Sequence, residues 1–419
     1  MNNLNWKSVA LSELLVLLTD YHANGAYKKL KENVQLFDSE EYALMIRTTN
    51  FEQNDFVNNN KYITEEAYNF LSKSKVQRDD LIMNKIANAG SVYYTPKIEK
   101  PISLAMNLFL LRINKEKAVP KYVYYYLKTN EKYVKSFALG SVTKTITKEA
   151  VRKLMINLPS LAEQESIMQI INSLDDKIEN LQAQNNTLEQ TAQTIFKEWF
   201  GKFQVGDKMP DGWRVYKMHE LVKTVNGYSY KGKELVDESN EALVTLKNFG
   251  RNGDFQSRGF KPFKGTPKPE QEVQKGDLVV AHTDLTQDAE VLGNPAFIFD
   301  NAGFDKMYIT MDLVKVVSEH KDMTSSFLYY LMKNRAFKGH CIGYANGTTV
   351  LHLSKKAIPE YQIFLPSDFK LIKKFSDLAD STTSKISANN EAIINLSKTR
   401  DTLLPKLLNG EIRVNDFKE

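Results

Sequence analysis

Few residues in this sequence stand at a spacing that catalysis would require. Asn294-Pro295-Ala296-Phe297 is the nearest match to the Asn-Pro-Pro-aromatic tetrad of amino-methyltransferases, but its second proline is replaced and no glycine-rich cofactor loop precedes it. The carboxylates of Asp175, Asp176 and Glu179 could in principle hold a metal ion for hydrolysis. They accompany Lys177 in one predicted helix, however, where solvated ion pairs are the expected arrangement. Neither pattern predicts an active site.

Other catalytic and cofactor motifs are missing from the sequence. It has no Gly-x-x-x-x-Gly-Lys-Ser/Thr phosphate loop, no Gly-x-Gly-x-x-Gly dinucleotide motif and no His-Glu-x-x-His zinc motif. Cys341 is the only cysteine, which excludes an internal disulfide and a thiolate metal cluster, and it has no nucleophile-elbow motif around it. We therefore expect a chain that is not an enzyme by itself and that binds no cofactor or metal of its own.

The composition indicates a globular protein. The chain has 419 residues, of which 42% are hydrophobic and 26% charged, enough apolar surface for the cores of two or three domains. No apolar run approaches the roughly 18 residues of a membrane helix. The N-terminal segment has a short apolar patch but lacks the basic start and cleavage site of a signal peptide. We expect a cytoplasmic protein that does not enter a membrane.

Charge is distributed unevenly along the chain. Residues 1–159 contain 23 basic and 16 acidic side chains, a net charge of +7, whereas residues 160–200 contain 2 basic and 7 acidic side chains, a net charge of −5. A basic domain suits contact with phosphates, although a lysine-rich solvated surface gives the same numbers. The charge pattern thus permits a nucleic-acid partner without requiring one.

The sequence repeats itself at a spacing of 207 residues. The segments 6–14 and 213–221 share Trp, Glu and Leu at that spacing, and Gly140–Pro159 matches Gly347–Pro366 in register over twenty residues. A long match that returns at one spacing indicates two copies of one unit. Two such copies in one chain should pack about an approximate two-fold axis.

Each copy reads as a mixed α/β unit. Short runs rich in β-formers, bounded by Asn, Gly, Lys and Pro, predict strands at Tyr42–Arg47, Asp80–Met83 and Leu108–Ile113 in the first copy, and at Ala242–Lys247, Asp277–Ala281 and Tyr308–Val316 in the second. The tyrosine-rich segments around residues 122–126 and 329–330 predict an amphipathic helix packed on the sheet.

A long helix follows each α/β unit. The first should begin after Ser160 and the second after Ser367, and at 1.5 Å per residue about 40 residues span roughly 60 Å. Heptad spacing predicts that the two helices bury apolar stripes on each other, with Asn185 and Asn389 interrupting the seam at different heights. Pro405 predicts that the second helix bends or ends early. The predicted seam residues are Ile171, Leu174, Ile178, Leu181, Leu188, Ile195, Ile386, Ile393, Leu396 and Leu403.

Several motifs, in this order and in duplicate, resemble the specificity subunits of type I restriction-modification systems. They are the domain opening Pro210-Asp211-Gly212-Trp213, the turn Lys275-Gly276-Asp277-Leu278, the glycine loops at 140 and 347, the Leu-Pro-Ser helix starts at 158 and 365, the helix segments 161–167 and 174–178, and the closing segment 403–412. The resemblance covers essentially the whole chain.

The resemblance implies an α/β (α+β) fold with two target-recognition domains, residues 1–159 and 206–366. Two long antiparallel coiled-coil helices, within residues 160–205 and 367–419, would join them with pseudo-two-fold symmetry. The family's subunit reads a split, asymmetric sequence in double-stranded DNA, and its helices set the gap between the half-sites. It joins two methyltransferase subunits and optionally two restriction subunits, and these partners bring S-adenosylmethionine, ATP and Mg²⁺. The stripe of the second helix has Thr382 and Arg400 where the first has Leu174 and Ala192, so the two copies are not equivalent and we expect their partner contacts to differ.

The resemblance also directs attention to polar residues that the two copies place at equivalent positions after strands and in the glycine loops. Base edges are read by Arg, Lys, Asn, Gln, Ser and Thr, and phosphates are bound by Lys, Arg and backbone amides. The candidates for DNA contact are Arg47, Thr48, Asn50, Lys85, Ser91, Ser141, Lys144, Thr145, Lys247, Asn248, Arg251, His282, Thr283, Asn346, Thr348, Thr349 and His352.

Three other functions stay open at this point. The chain could be a nuclease or methyltransferase with degenerate motifs, which activity of the isolated chain would reveal. It could be a scaffold whose two domains bind proteins, which a lack of sequence-selective DNA binding would favour. It could also be the specificity subunit of a system in which methyltransferase and nuclease share one polypeptide.

Overall fold

The computed structural model describes residues 6–53, 55–203, 207–250, 255–286 and 288–414. It divides into two compact units, Met1–Lys177 with Leu396–Glu419, and Ile178–Asn395. The mixed helix and strand composition expected from the sequence is confirmed. We call the two units unit 1 and unit 2 and describe each separately. Each contains a segment of both long helices.

Unit 1 is built on two four-stranded sheets and a two-stranded ribbon. The strands are β1 Lys7–Ala10, β2 Leu15–Asp20, β3 Ala43–Ile46, β4 Tyr62–Ile63, β5 Lys75–Val76, β6 Leu81–Asn84, β7 Val92–Tyr94, β8 Ile102–Leu104, β9 Leu108–Ile113 and β10 Met155–Leu158. The sheets have the orders β2-β9-β6-β7 and β4-β3-β8-β5, and β1 pairs with β10. Only the β3–β8 pair is parallel among these.

The central strands of unit 1, β3, β6, β8 and β9, are largely apolar on both faces because both faces are covered. In β9, which has the sequence Leu-Phe-Leu-Leu-Arg-Ile, Phe109 and Leu111 enter one core with the helical segments, while Leu108 and Leu110 enter another with β3 and β8. Tyr122, fully buried in the first of these cores, lies on helix Pro120–Thr129. A strand covered on both sides loses the alternation of polar and apolar residues.

Unit 2 has the corresponding strand orders. Its strands are β11 Trp213–Lys217, β12 Val222–Asn226, β13 Glu241–Val244, β14 Lys261–Pro262, β15 Glu272–Val273, β16 Leu278–Ala281, β17 Thr283–Asp284, β18 Pro295–Phe297, β19 Lys306–Ile309, β20 Leu313–Ser318, β21 Ala345–Asn346, β22 Leu351–Leu353 and β23 Gln362–Pro366. The sheets are β12-β20-β16-β18 and β14-β13-β19-β15, β11 pairs with β23, and β17-β22-β21 form a small third sheet.

Two predicted strands of unit 2 differ from the structure. The run Tyr308–Val316 forms two strands, β19 and β20, because the backbone turns at Thr310, whose carbonyl accepts a hydrogen bond from the amide of Leu313. The run Ala242–Lys247 ends at Val244, because the Thr245 hydroxyl accepts a hydrogen bond from the Lys247 amide (3.2 Å) and starts a 3₁₀ turn. Local side-chain capping thus overrides the β propensity of these segments.

The helices of unit 1 are short apart from the last. They are α1 Leu11–Leu14, α2 Tyr27–Asn33, α3 Thr48–Gln53, α4 Glu65–Phe70, α5 Pro120–Thr129, α6 Glu131–Ser136, α7 Lys148–Arg152 and α8 Leu161–Phe200, the last of which continues into unit 2. Unit 2 adds α9 Ser325–Met332, α10 Arg335–Gly343, α11 Ala357–Glu360 and α12 Lys370–Leu408, which continues into unit 1.

The two long helices have almost equal lengths. Helix α8 contains 40 residues and begins directly after Ser160, as predicted, whereas α12 contains 39 and begins three residues after Ser367. The prediction that Pro405 ends this helix early is wrong, since α12 continues to Leu408 with the proline inside it. Within the part of the chain that is described, no helix is long and apolar enough to span a membrane.

Candidate nucleic-acid interface

In unit 1 a hairpin turn is held against the end of β6. Leu139 pairs with Thr145, and Thr145 also pairs with Ile86, two residues beyond the strand. Gly140 closes the turn with a φ of +125°, and a Cβ on it would lie 2.4 Å from the carbonyl oxygen of Thr143, so the turn requires glycine. The tip, residues 141–144, is exposed to solvent. The structure therefore brings two of the predicted DNA loops together, the one after β6 and the glycine loop.

Beside this hairpin, two lysines share one buried carboxylate. Lys85 Nζ lies 3.3 Å from one oxygen of Asp20, and Lys148 Nζ lies 2.9 Å from the other. Burial alone would raise the pKa of Asp20, but the hydrogen bonds and charges of Lys148 and Lys85 outweigh burial and lower it. Both lysine side chains remain about one-third exposed. The group is a fixed net positive charge at the protein surface.

Unit 2 has the same kind of hairpin. Strands β21 and β22 enclose Gly347, which has a φ of +112°, and a Cβ on it would lie 2.1 Å from the carbonyl oxygen of Val350. Strand β22 also pairs with β17, so that Thr283 faces His352 across the ladder. The candidate residues exposed on this hairpin are Asn346, Thr348, Thr349 and His352.

His282 lies at the base of this second hairpin and is only partly exposed. Its backbone amide donates to the carbonyl of Asp312 (2.7 Å), and its carbonyl accepts from the amide of Leu353 (2.8 Å). Burial lowers the pKa of His282, the charges of His352 and Lys355 lower it further, and Asp312 acts in the opposite direction. The imidazole is therefore biased toward its neutral form.

Four predicted contact residues are buried and serve the fold instead. Asn50, 3% exposed, accepts from the backbone amide of Arg47 (3.0 Å) and donates to the carbonyl of Asp55 (3.0 Å). Ser91, 2% exposed, donates to the carboxylate of Glu131 (2.6 Å). These side chains fix loop geometry, and they cannot reach a base edge in this conformation.

Asn248 and Thr283 of unit 2 are likewise buried. Asn248 accepts from the backbone amide of Thr245 (2.8 Å) and donates to the carbonyl of Gln256 (2.8 Å), which is the arrangement that Asn50 forms in unit 1. Thr283 is part of the β17 ladder. Equivalence between the two copies therefore selects structural asparagines as readily as DNA contacts.

The remaining candidates differ in how available their side chains are. The Arg47 guanidinium donates to the carbonyl of Asn59, and its Nε is buried without a partner. Ser141, Lys144 and Lys247 are exposed, and Thr48 and Thr145 partly so. Arg251 lies outside the described residues. The segment carrying Arg47 and Thr48 leads into α3, whose Phe51 ring stacks on Tyr93 with centroids 4.7 Å apart.

In unit 1 the seam between the long helices contains a polar centre. Ile171 is buried with Leu404, Leu407 and Leu408, and Leu403 packs at the edge of the same core. Asp175 accepts a hydrogen bond from the Tyr125 hydroxyl, and its carboxylate lies 3.0 Å from Nη1 of Arg400 and 3.5 Å from Nζ of Lys121. This explains why Arg400 stands in an otherwise apolar stripe. Leu174 and Leu396 are half-buried.

In unit 2 the seam has an amide layer and an aromatic end. Asn185 donates to Asn390 Oδ1 (2.9 Å) and accepts from Asn389 Nδ2 (2.8 Å), so the prediction that Asn185 and Asn389 lie at different heights is wrong. The rings of Phe196 and Phe375 make an edge-to-face contact at 5.3 Å. Among the predicted seam residues, Ile178, Leu181 and Ile386 are buried, and Leu188, Ile195 and Ile393 are half-buried.

Three residues of the interface were missed by sequence reasoning. Lys148 and Lys355 stand 207 residues apart inside the matched segments, so the repeat could have identified them. Asp20 gives no sequence signal, because its role depends on the pairing of β2 with β9. Among the described residues, no group of three or more His, Cys, Asp or Glu side chains is placed to hold a metal ion.

Comparison with known proteins shows which proteins have a similar sequence and fold. Residues 3–190 match the model of the type I restriction modification DNA specificity domain. A crystal structure of the S subunit of a type I restriction-modification system from M. genitalium has a similar fold, with a TM-score of 0.57 at 16% identity over 97% of each chain. The fold is therefore one that a specificity subunit adopts.

Two curated relatives extend the similarity over most of the chain. The type I restriction enzyme MjaIX specificity subunit of Methanocaldococcus jannaschii is 25% identical over 380 residues, covering 85% of this chain and 82% of the relative. The HindI specificity subunit of Haemophilus influenzae is 24% identical over 425 residues, covering 84% and 92%. The resemblance to the specificity subunits of type I restriction-modification systems, which the sequence motifs indicate, is confirmed.

Proposed function

We propose that this chain reads a bipartite, asymmetric sequence in double-stranded DNA, one half with each unit. The observation that carries the proposal is the recurrence of one glycine-closed hairpin beside equivalent strands, with different exposed side chains on it in the two units. An exposed tip makes few demands on folding, so its residues are free to differ between two half-sites. The similarity to type I specificity subunits supports the same function.

We propose further that the long helices form an antiparallel coiled-coil pair that sets the number of unread base pairs between the half-sites, and that the chain is an internal duplication with approximate two-fold symmetry. The continuity of α8 over 40 residues and of α12 over 39 supports a spacer role. Within unit 1, Asp175 pairs with Arg400 and Glu163 with Arg413, which is an antiparallel register. Within unit 2, Asn185 pairs with Asn389 and Phe196 contacts Phe375, which is also an antiparallel register.

The proposed assembly contains two methyltransferase subunits and optionally two restriction subunits. The subunit described here contributes recognition and no catalysis, while the partners bind S-adenosylmethionine, ATP and Mg²⁺. The assembly would act in the cytoplasm of a bacterium or archaeon, on nucleoid DNA. A system in which methyltransferase and nuclease are fused would use the same subunit with one partner polypeptide.

The test is to co-express the chain with the methyltransferase encoded beside it and to map modified bases across a host chromosome. We expect a split motif with a constant gap and one methylated base in each half. Methylation by the chain alone would show that it is an enzyme. A stable complex without any methylated motif, and without sequence-selective DNA binding, would support a protein scaffold instead.

Variants of the two hairpins assign each half-site to a unit. Lys144→Ala should weaken recognition of one half of the motif, and Thr349→Val the other half. Lys31→Ala, an exposed lysine on α2, is the control and should leave the motif unchanged. Equal loss on DNA altered in either half would contradict the assignment of one unit to each half-site.

A further inference from the structure

One backbone position is equivalent in the two units, and it carries different side chains. Lys85 directly follows β6, which pairs with β9. His282 directly follows β16, which pairs with β20. The amide of Lys85 donates to the carbonyl of Asn107 (2.8 Å) and its carbonyl accepts from Ile146 (3.0 Å). The amide of His282 donates to Asp312 (2.7 Å) and its carbonyl accepts from Leu353 (2.8 Å).

The neighbours of this position are equivalent too. Thr145 in the unit 1 hairpin is equivalent to His352 in unit 2. Thr145 pairs with Ile86, which follows Lys85, and His352 pairs with Thr283, which follows His282. Three residues further along the chain, Lys148 corresponds to Lys355. Each position therefore lies at the base of a recognition hairpin with a second basic residue beside it.

The counterion differs between the units. In unit 1, Asp20 pairs with Phe109 in the ladder and holds both lysines. The corresponding residue of β12 is Asn226, which pairs with Val314 and carries no charge. Two ammonium groups and one carboxylate leave a permanent charge of one in unit 1. In unit 2 the charge at the same place depends on whether His282 carries a proton.

We propose that this position is a phosphate-binding subsite in both units. Lys85 and Lys148, aligned by Asp20, bind one DNA phosphate at all physiological pH values. His282, with His352 and Lys355, binds the corresponding phosphate of the other half-site tightly only after the imidazole takes up a proton. The inference rests on the proposed DNA-reading function and adds to it a ligand group and a pH dependence confined to one half-site.

The charges around His282 support a pH-dependent contact with phosphate. Burial lowers the pKa of His282 below its ordinary value of 6.5, the charges of His352 on β22 and of Lys355 just after it lower the pKa further, and the charge of Asp312 in the turn before β20 opposes them. A bound phosphate would favour the protonated imidazole, so proton uptake and DNA binding assist each other. Affinity for this half-site should therefore rise as the pH falls and His282 takes up a proton.

The experiment measures binding of the complex with its methyltransferase to the methylated motif, by fluorescence anisotropy at roughly pH 5.5 and 7.5 over a range of salt concentrations. His282→Lys should bind about ten-fold more tightly than wild type at the higher pH and lose the increase on acidification. Lys85→His should bind more weakly at the higher pH, gain affinity on acidification, and reduce the salt slope by about 0.9 at the higher pH. His282→Gln, a neutral variant, should lose the increase on acidification without gaining affinity.

A second measurement locates the phosphates. Single methylphosphonate linkages, which are uncharged, are placed along each half-site in turn. One linkage in each half should weaken wild-type binding, and the His282→Gln variant should lose less affinity than wild type from the linkage in its own half at the lower pH, because His352 and Lys355 still contact that phosphate.

The outcomes separate the two proposals. If the complex methylates no motif, the DNA-reading function fails. If a motif is found but His282→Lys keeps the wild-type pH dependence, or no single neutral linkage affects binding, the phosphate subsite is refuted while the DNA-reading function stands.

Discussion

Loss of the Asp175 carboxylate should weaken the seam between the long helices in unit 1. The carboxylate, 11% exposed, forms ion pairs with Arg400 and Lys121 and accepts a hydrogen bond from the Tyr125 hydroxyl. These contacts join α5 to both long helices. Burial and the hydrogen bond to Asp175 raise the pKa of Tyr125, so the hydroxyl remains a donor at all working pH values. Asp175→Asn keeps the shape of the side chain and removes the charge.

The expected cost is about 2 kcal/mol. Removing one member of a buried ion pair costs about 3–5 kcal/mol, because the remaining charge is left unpaired. Arg400, however, keeps Asp401 as a partner at 2.8 Å, and Lys121 is 28% exposed, so both can be partly compensated. The estimate therefore lies below the lower end of that range.

Hydrogen exchange of the backbone amides in 396–408 measures this cost locally, without requiring that the whole chain unfold in one step. A loss of 2 kcal/mol corresponds to exchange that is roughly thirty-fold faster. The control is Asp176→Asn, which removes the same charge from an exposed side chain in the same turn and should change exchange by less than about two-fold.

The reasoning would be refuted if the two variants behaved alike. Equal acceleration would mean that general charge on the helix, rather than the buried contact with Arg400, stabilises the seam. Unchanged exchange in Asp175→Asn would mean that the ion pair merely offsets its own desolvation.

Three further predictions follow from single positions. Gly347→Ala should destabilise its hairpin by about 1–3 kcal/mol and abolish recognition of one half-site. Gly339→Ala, inside helix α10 with nothing within 4 Å of the added Cβ, should instead raise the thermal stability slightly, by up to about 1 kcal/mol. Cys341 is buried and burial raises its pKa to about 12, so a thiol reagent at pH 8 should label it only after unit 2 opens; rapid labelling of the native protein would contradict this. Asp20, whose pKa is lowered by its lysines, should contribute stability above its ordinary pKa of 3.8 that is lost as the pH falls through its folded value; Asp20→Asn should flatten this acid limb in denaturant titrations.

The sequence predicts the framework of the fold well. Leu108–Ile113 has the predicted bounds, and α8 begins directly after the predicted cap, because a continuous apolar run and a Pro-Ser start are local signals. The strand break at Thr310 was not predicted, and of the two outcomes predicted for Pro405, a bend or an early end of α12, the early end is wrong. The strand break and the continuation of α12 depend on hydrogen bonds and packing that compete with local propensity, and a single sequence does not reveal that competition.

The candidate site was predicted less completely, for a specific reason. Comparison of the two copies finds positions that share a backbone environment, whether or not the side chain faces solvent. Asn50 and Asn248 are equivalent because each closes a loop, and Gly140 and Gly347 because each closes a hairpin. If the two units read different half-sites, as proposed, the residues that distinguish the half-sites should differ between the units. A search for shared residue types therefore finds residues that stabilise the fold more readily than residues that contact DNA.

A difference in residue type between the two units at an equivalent position is therefore the better indicator of DNA contact. The glycines of the two hairpins are fixed by the clash that a Cβ would make, and their tips, exposed and unconstrained by packing, have diverged. Where unit 1 has Lys85 and Asp20, unit 2 has His282 and Asn226, so the charge at this place differs while the backbone hydrogen bonds of Lys85 and His282 are the same in kind. A difference that leaves the fold intact and alters only the charge offered to a ligand is what the proposed reading of two different half-sites requires.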